Sequence, residues 1–486
     1  MAGWDQRANW NLANVHDPSV MKAADGYYYM YQTDASYGDA HDGHGHFHAR
    51  RSKDLVNWEY LGATMQEAPA WVKTKLNEIR AEQGLDPIEN PSYGYWAPCA
   101  RKVNDHLYRM YYCIVVNNYI KTGGRTYDGS WTERAFIGVM ETSDPASNNW
   151  EDKGFVICSS SDKGTNWNRT SEGDWNAYFK FNAIDPSFII TPEGEHWLIY
   201  GSWHSGIAAV QLNPETGKTL AELPKSYGTA AEIAPYGKLI FTRTNGGRWQ
   251  GAEAPEIVYH DGYYYLFLAY DGLDIPYNTR VLRSTKVDGP YETLNGAVTD
   301  ASKGANNNPT VLTHPYKFSE GYGWVGISHC AVFDDGNGNW YYASQQRFPA
   351  NVGGNAYSNA IMMGGVRSIQ WESNGWPTVM PERYGAVPQA SISESELVGA
   401  WEHIDLSYSY GKQRTASEMV LGDDHKITSG AWKGAAWSFN AQTNTLTCNG
   451  VELKVQREVD WEASPRKVTI VYSGLNGIKS YWGKKK

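Results

Sequence analysis

Along this chain, apolar and polar positions return to one short pattern. Each time, a polar or aromatic residue, usually followed by a proline, leads into a few apolar positions. A turn rich in Asp, Asn or Gly comes next, and then a run dense in aromatic residues. The first unit is Asp17-Pro18-Ser19-Val20, Asp25-Gly26 and Tyr27 to Tyr31; the second is Trp96-Ala97-Pro98, Asn104-Asp105 and Leu107 to Tyr112. The third is Asp185-Pro186-Ser187-Phe188, Glu193-Gly194 and His196 to Tyr200; the fourth is Glu253-Ala254-Pro255-Glu256, Asp261-Gly262 and Tyr263 to Phe267. A fifth, less regular unit is Ser328-His329-Cys330-Ala331, Asp335 to Gly338 and Trp340-Tyr341-Tyr342. Each reads as a β-hairpin with a tight polar turn. The units recur about every 70 to 90 residues, room for a four-stranded sheet plus loops, so an all-β, five-bladed propeller is predicted. A β-sandwich with decorated hairpins leaves the polar opening of successive units unexplained.

The texture changes near residue 380. The propeller is expected over residues 1–385 and a linker over 386–396. Residues 397–486 are expected to form a small β-barrel, with alternating stretches such as Thr445 to Cys448, Val451 to Val455 and Lys467 to Tyr472. Its opening Gly399-Ala400-Trp401 is that of a lipocalin-like barrel. Trp401, Trp432, Trp437, Trp461 and Trp482 suit either sugar binding or packing, and a bracing role is the expectation. One helix is predicted, Ala70 to Gln83, in an insertion between blades, with Trp71, Leu76 and Ile79 on one side.

Composition sharpens this picture. Aromatic residues are 14% of the chain, with 34 Tyr and 21 Trp, and 49 Gly serve the turns. A net charge of −10 without a basic stripe argues against nucleic acid; Lys484 to Lys486 read as a solvated tail. No apolar run approaches the roughly 20 residues of a membrane span, and the first residues lack the pattern of a signal peptide. The five cysteines, Cys99, Cys113, Cys158, Cys330 and Cys448, have neither zinc nor disulfide-framework spacing. Cys99 and Cys113 are placed to pair across strands, but buried free thiols are the plainer expectation. A monomer is expected.

The chemistry follows from the repeat. In a propeller the innermost strand of every blade lines one channel, so Asp17, Asp185 and Glu253 are predicted to converge. Inverting hydrolysis of a glycosidic bond needs one carboxylic acid to protonate the leaving oxygen and a carboxylate, roughly 6.5–9.5 Å away, to activate water. The acid must hold its proton near neutral pH through burial or a neighbouring charge. Taken singly, an Asp before Pro is more often a turn residue; three acids opening three repeats reverse that judgement. Glu256 rivals Glu253, and because a strand alternates faces only one of them is expected in the channel.

The motifs His16-Asp17-Pro18-Ser19-Val20, Tyr95-Trp96-Ala97-Pro98, Asn182-Ala183-Ile184-Asp185-Pro186-Ser187, Gly201-Ser202-Trp203 and Glu253-Ala254-Pro255 together resemble glycoside hydrolase family 43, and within it the longer endo-arabinanases. The resemblance implies Asp17 as general base and Glu253 as general acid, with Asp185 modulating the acid's pKa and orienting the substrate. It implies His16, Tyr95, Trp96, Asn182, Ser202, Trp203 and His204 as substrate contacts, with Trp96 stacking on a sugar face. Phe181 and the stretch from Trp167 to Trp175 are candidates for a substrate rim. His329 is implied to help hold calcium or a similar cation in the channel with water; no organic cofactor is expected. The implied substrate is arabinan or its oligosaccharides, met outside the cell or in the periplasm. Exo-acting arabinofuranosidase or β-xylosidase activity on the same fold is the alternative. A catalytically silent sugar-binding propeller is the alternative from another class. Cys99, Ala254 and His204 depart from the usual family pattern, which bears on substrate preference rather than on the three carboxylates.

Overall fold

The computed structural model describes residues 2–117, 119, 121–122, 125–126, 132–162, 179–204, 206–244 and 251–486. Five four-stranded antiparallel sheets follow one another along the chain. Blade one is Ser19–Lys22, Tyr28–Tyr31, His46–Ser52 and Glu59–Met65; blade two is Tyr93–Asn104, Leu107–Asn117, Thr132–Thr142 and Glu151–Cys158. Blade three is Ser187–Ile190, His196–Tyr200, Ile207–Leu212 and Lys238–Phe241; blade four is Ala252–His260, Tyr263–Tyr270, Asn278–Ser284 and Thr310–Thr313. Blade five is Val325–Asp334, Trp340–Arg347, Met362–Trp371 and Pro377–Val379. The first strand of each blade touches the first strand of the next, and the fifth touches the first, so five innermost strands close a ring around one channel.

The hairpins form where the polar turns predict them. Asp261 and Gly262 both take left-handed backbone (φ 48° and 89°). That geometry matches the twist of the flanking strands and is open to Asp-Gly at little steric cost. The aromatic second strands bury themselves between blades: Tyr29, Tyr31, Tyr111, Tyr112 and Phe267 are fully or almost fully buried. The ring is closed partly by the N-terminal segment, in which Asn14 N–H donates to the Met362 carbonyl (3.1 Å) and Gly364 N–H to that of Leu12 (2.7 Å). The predicted helix is Ala70–Glu82, between blades one and two. It buries Val72, Leu76 and Ile79, while Trp71 sets its ring edge-on against Phe136 and Phe155.

Beyond blade five, eight strands from Gly399–Asp405 to Lys479–Lys485 form one antiparallel sheet. Its two outermost strands, Ile427–Gly430 and Trp437–Asn440, are linked by a bridge between Lys426 and Ala436, which nearly closes a barrel. A single helical turn, Glu394–Leu397, leads into it behind a capping box on Ser393. The barrel and propeller share a core: Trp482 is fully buried among Tyr316, Phe318 and Val379, and its indole donates to the Val379 carbonyl (2.7 Å). Trp401 and Trp437 are buried inside the barrel, and the indole of Trp461 donates to the Arg383 carbonyl (2.7 Å).

One expectation is corrected here, and the expectation of buried free thiols holds. Lys484 is no solvated tail: the last strand runs through the middle of the sheet and buries its ammonium among Glu382 (2.9 Å), Asp460 (2.9 Å) and Glu462 (2.8 Å). Those three acids form a group of potential metal ligands among the described residues, and the Lys484 ammonium sits against all of them. All five cysteines are buried free thiols, so Cys99 and Cys113 are not paired.

Candidate active site

Each innermost strand carries, or is preceded two residues earlier by, a left-handed, non-glycine residue: Asp17 (φ 47°), Ala97 (43°), Asp185 (56°), Ala254 (53°) and His329 (52°). Such a residue takes its own N–H and carbonyl out of the regular ladder and costs roughly 1–2 kcal/mol. Neighbouring blades take up three of these N–H groups. Asp17 N–H donates to Gln345 Oε1 (3.2 Å), Ala97 N–H to Thr33 Oγ1 (2.7 Å) and Ala254 N–H to Asp185 Oδ2 (2.9 Å). In blade four this kink explains why the strand-alternation rule fails between Glu253 and Glu256. The pairing register shifts between them, and both turn toward the axis. Glu256 lies deeper and binds across three other innermost strands: Arg101 (2.6 Å), Ser187 Oγ (2.8 Å) and Val332 N–H (2.9 Å). It is an ion-paired strut, beside which Cys99 is buried.

Asp17, Asp185 and Glu253 are brought together as the repeat predicts, each close enough to the others for its charge to be felt. Asp17 is the best compensated. His329 Nδ1 lies 2.9 Å from its Oδ1, His16 Nδ1 lies 2.9 Å from its Oδ2, and Thr33 donates to Oδ2 at 2.7 Å. Burial alone pushes Asp17 up, but the two imidazoles outweigh burial and hold it well below the usual carboxylate range. Asp185 has only the Ala254 N–H and a share of the His329 charge. Burial first, and then repulsion from Glu253 and Asp17, push it up to about 8. Burial also raises Glu253, although Tyr277, His329 and Ser202 partly offset it. His329 loses by burial but gains more from the three carboxylates, which raise it to about 9. Near neutral pH the mouth of the channel therefore holds an ionised Asp17, a protonated His329, and a proton among Asp185 and Glu253.

The expected contacts divide. Ser202 Oγ and Trp203 Nε1 both donate to Glu253 Oε2 (2.9 Å each), so Trp203 holds this carboxylate. His16 also meets Arg347 through Nε2 (3.1 Å). Tyr95 stacks on His46 (ring centroids 3.3 Å apart), whose Nδ1 meets Asp34 at 2.5 Å. Trp96 is half-buried and folds over Gly94, where a Cβ would come within 2.5 Å of its indole nitrogen. Asn182 and His204 are buried, Asn182 accepting from Ser159 Oγ (3.0 Å) and His204 lying edge-on to Phe179. Phe181 is buried rather than on a rim, and Trp167 to Trp175 fall outside the described residues. Thr33, Tyr277, Gln345 and Arg347 were not foreseen. Tyr277 donates its hydroxyl to Glu253 Oε1 from the start of an outer strand, and its Pro276-Tyr277-Asn278 setting carries no repeat signal.

Carboxylates of opposite proton affinity sharing one enclosed mouth are what acid–base cleavage of a glycosidic bond requires, and that class of protein is a glycosidase. The chain belongs to glycosyl hydrolases family 43, whose model matches residues 12–377, and residues 381–483 match a C-terminal lipocalin-like domain. It is 26% identical to an extracellular endo-α-(1→5)-L-arabinanase of Thermotoga petrophila, over 99% of this chain and 95% of that protein. An extracellular exo-α-(1→5)-L-arabinofuranosidase of Cellvibrio japonicus is 26% identical over 75% of this chain and 86% of its own. The crystal structure of the endo-1,5-α-L-arabinanase from Thermotoga petrophila shares the fold at 24% identity, with a TM-score of 0.72 over 98% of this chain and 99% of that one.

The raised pKa of Asp185 makes a stability prediction. Between the ordinary carboxyl value of about 4 and about 8, the folded chain keeps a proton that the unfolded chain has lost. Stability contributed by that proton is present at low pH and is lost as pH rises through this window. Asp185→Asn keeps an acceptor for Ala254 N–H and removes the cost. Its Tm is expected to exceed the parent's at about pH 8, with the gap closing toward about pH 4, while activity collapses. A variant less stable than the parent at both pH values would contradict the assignment.

Proposed function

We propose that this protein is an endo-acting, inverting hydrolase of α-1,5-linked L-arabinofuranosyl bonds in arabinan, working outside the cell. The observation that carries the reading is the opposite displacement of Asp17 and Glu253: one carboxylate held down by two imidazoles, the other raised by burial. In this scheme Asp17 takes a proton from the attacking water. Glu253, steadied by Ser202, Trp203 and Tyr277, gives its proton to the departing oxygen. Asp185 shares the raised-pKa environment and delays ionisation of its neighbour. Support for arabinan and for internal cleavage comes from the match over nearly the full length to an endo-acting relative.

The first check is a product time course on linear arabinan, with xylan in parallel. A ladder of short arabino-oligosaccharides is expected. Monomer alone from the start would make the enzyme exo-acting, activity confined to xylan would make it a xylosidase, and binding without turnover would make it a silent propeller. Glu253→Gln is expected to lose about 100-fold or more in kcat, the scale of general acid catalysis, while remaining folded.

A channel cation is a separate part of the reading. His329 Nδ1 lies against Asp17, so Nε2 is the ring nitrogen that would ligate an ion. Nothing else in the described ligand set gathers there, so an ion that prefers several oxygens would be held largely by water. A bound ion would supply positive charge beside the carboxylates, the same balance that the His329 proton provides. Treatment with chelator should lower activity and Tm, with recovery on adding calcium. Full activity and an unchanged Tm in metal-free buffer would remove the ion from the scheme.

A further inference from the structure

The loop leaving the first barrel strand, from Leu406 to Gln413, turns away from the barrel and lies along blade four. Leu406 N–H donates to the Ser480 carbonyl (2.9 Å), Ser409 N–H donates to His314 Nε2 (3.0 Å), and Arg414–Thr415 pairs in parallel with Tyr316–Lys317. Between these anchors the Tyr408 hydroxyl donates to Asp271 Oδ2 at 2.8 Å. The guanidinium of Arg280 lies over the Tyr408 ring at 4.8 Å, which fixes the ring independently of its hydroxyl.

Asp271 is buried, and it joins the two supports of Glu253. On the backbone side, Asp271 N–H donates to the Gly251 carbonyl (2.8 Å), two residues before Glu253. Arg243 Nη1 reaches the same carbonyl (2.8 Å) while paired with Asp271 Oδ1 (2.7 Å). On the side-chain side, Asp271 Oδ2 accepts from Asn278 Nδ2 (3.0 Å). The residue before Asn278 is Tyr277, whose hydroxyl holds Glu253 Oε1. One carboxylate thus fixes both the chain leading into Glu253 and the hydroxyl that orients it.

We propose that Tyr408, contributed by the C-terminal barrel, is a positioning residue for the glycosidase reaction, acting through Asp271 on the placement of Glu253. The proposal rests on Glu253 being the general acid. With Tyr408→Phe the ring keeps its place and Asp271 keeps Arg243 and Asn278, but loses the one hydrogen bond that comes from outside the propeller. Proton delivery to the leaving group, rather than folding or substrate capture, is the step that suffers.

The test compares Tyr408→Phe, Glu253→Gln and, as control, Tyr410→Phe in the full chain; Tyr410 is exposed in the same loop. Each is assayed on arabinan and on a dinitrophenyl arabinotrioside, whose leaving group needs little protonation. Tyr408→Phe is expected to lower kcat on arabinan roughly tenfold, the scale of one hydrogen bond's free energy. KM and Tm should stay close to the parent's, most of the loss should vanish on the dinitrophenyl substrate, and Tyr410→Phe should be unchanged. Unchanged kcat in Tyr408→Phe, or an equal loss on both substrates, would overturn the proposal. A loss in Tyr410→Phe matching that in Tyr408→Phe would also overturn it, by tracing the effect to the loop as a whole. If Glu253→Gln itself is not rescued by the good leaving group, the acid assignment fails first, and the proposal fails with it for that separate reason.

Discussion

Placing three carboxylates at the mouth of one desolvated channel is the constraint on which the rest of the site depends. Burial alone would raise all three, and three raised acids would leave no base. The chain breaks the symmetry with histidine. His16 and His329 both lie against Asp17, while Asp185 and Glu253 receive only a share of the His329 charge. The same environment therefore yields a carboxyl of lowered pKa on one side and carboxyls of raised pKa on the other. That division of labour is set by which oxygen lies beside an imidazole.

The backbone makes this arrangement possible. The left-handed kink, repeated at Asp17, Ala97, Asp185, Ala254 and His329, turns side chains from the sheet toward the axis, and neighbouring blades satisfy freed N–H groups with Gln345, Thr33 and Asp185. Three of the five strained kinks, at Asp17, Ala97 and Ala254, are held by hydrogen bonds to a neighbouring blade. Asp185 does both jobs, anchoring the kink at Ala254 beside Glu253 and contributing charge to the site. Its two roles explain why a group with a raised pKa and an associated stability cost is retained at this position.

Much of this was legible in the sequence, for a physical reason. Hairpins announce themselves by turn residues and aromatic runs, and a ring of equivalent strands converts similar sequence positions into proximity. So the five blades and the meeting of Asp17, Asp185 and Glu253 were readable, whereas Ser202 and His329, expected at substrate and at a cation, lie against Glu253 and Asp17. Glu256 was misjudged because a two-residue alternation cannot anticipate a register shift. Thr33 and Tyr277 sit on or beside outer strands, where their reach toward the channel depends on three-dimensional curvature. Lys484 read as a tail because three like charges at a chain end normally prefer water, yet here one lies in a central strand opposite buried acids. The C-terminal barrel read as a brace, and its buried tryptophans and shared core with the propeller fit that role. The reach of Tyr408 into Asp271 shows that a brace can also end beside the catalytic machinery.

The opposite displacement of Asp17 and Glu253, one carboxyl held down and the other raised, has one direct stereochemical consequence under the roles proposed for them. Water activated on one face while the leaving group departs from the other inverts the anomeric centre. The measurement is proton NMR of the first products from an α-linked arabino-oligosaccharide, recorded before mutarotation equilibrates the anomers. Initial appearance of the β-anomer is the predicted result. Initial appearance of the α-anomer would mean that a carboxylate attacks the sugar directly, and would contradict the roles assigned to Asp17 and Glu253.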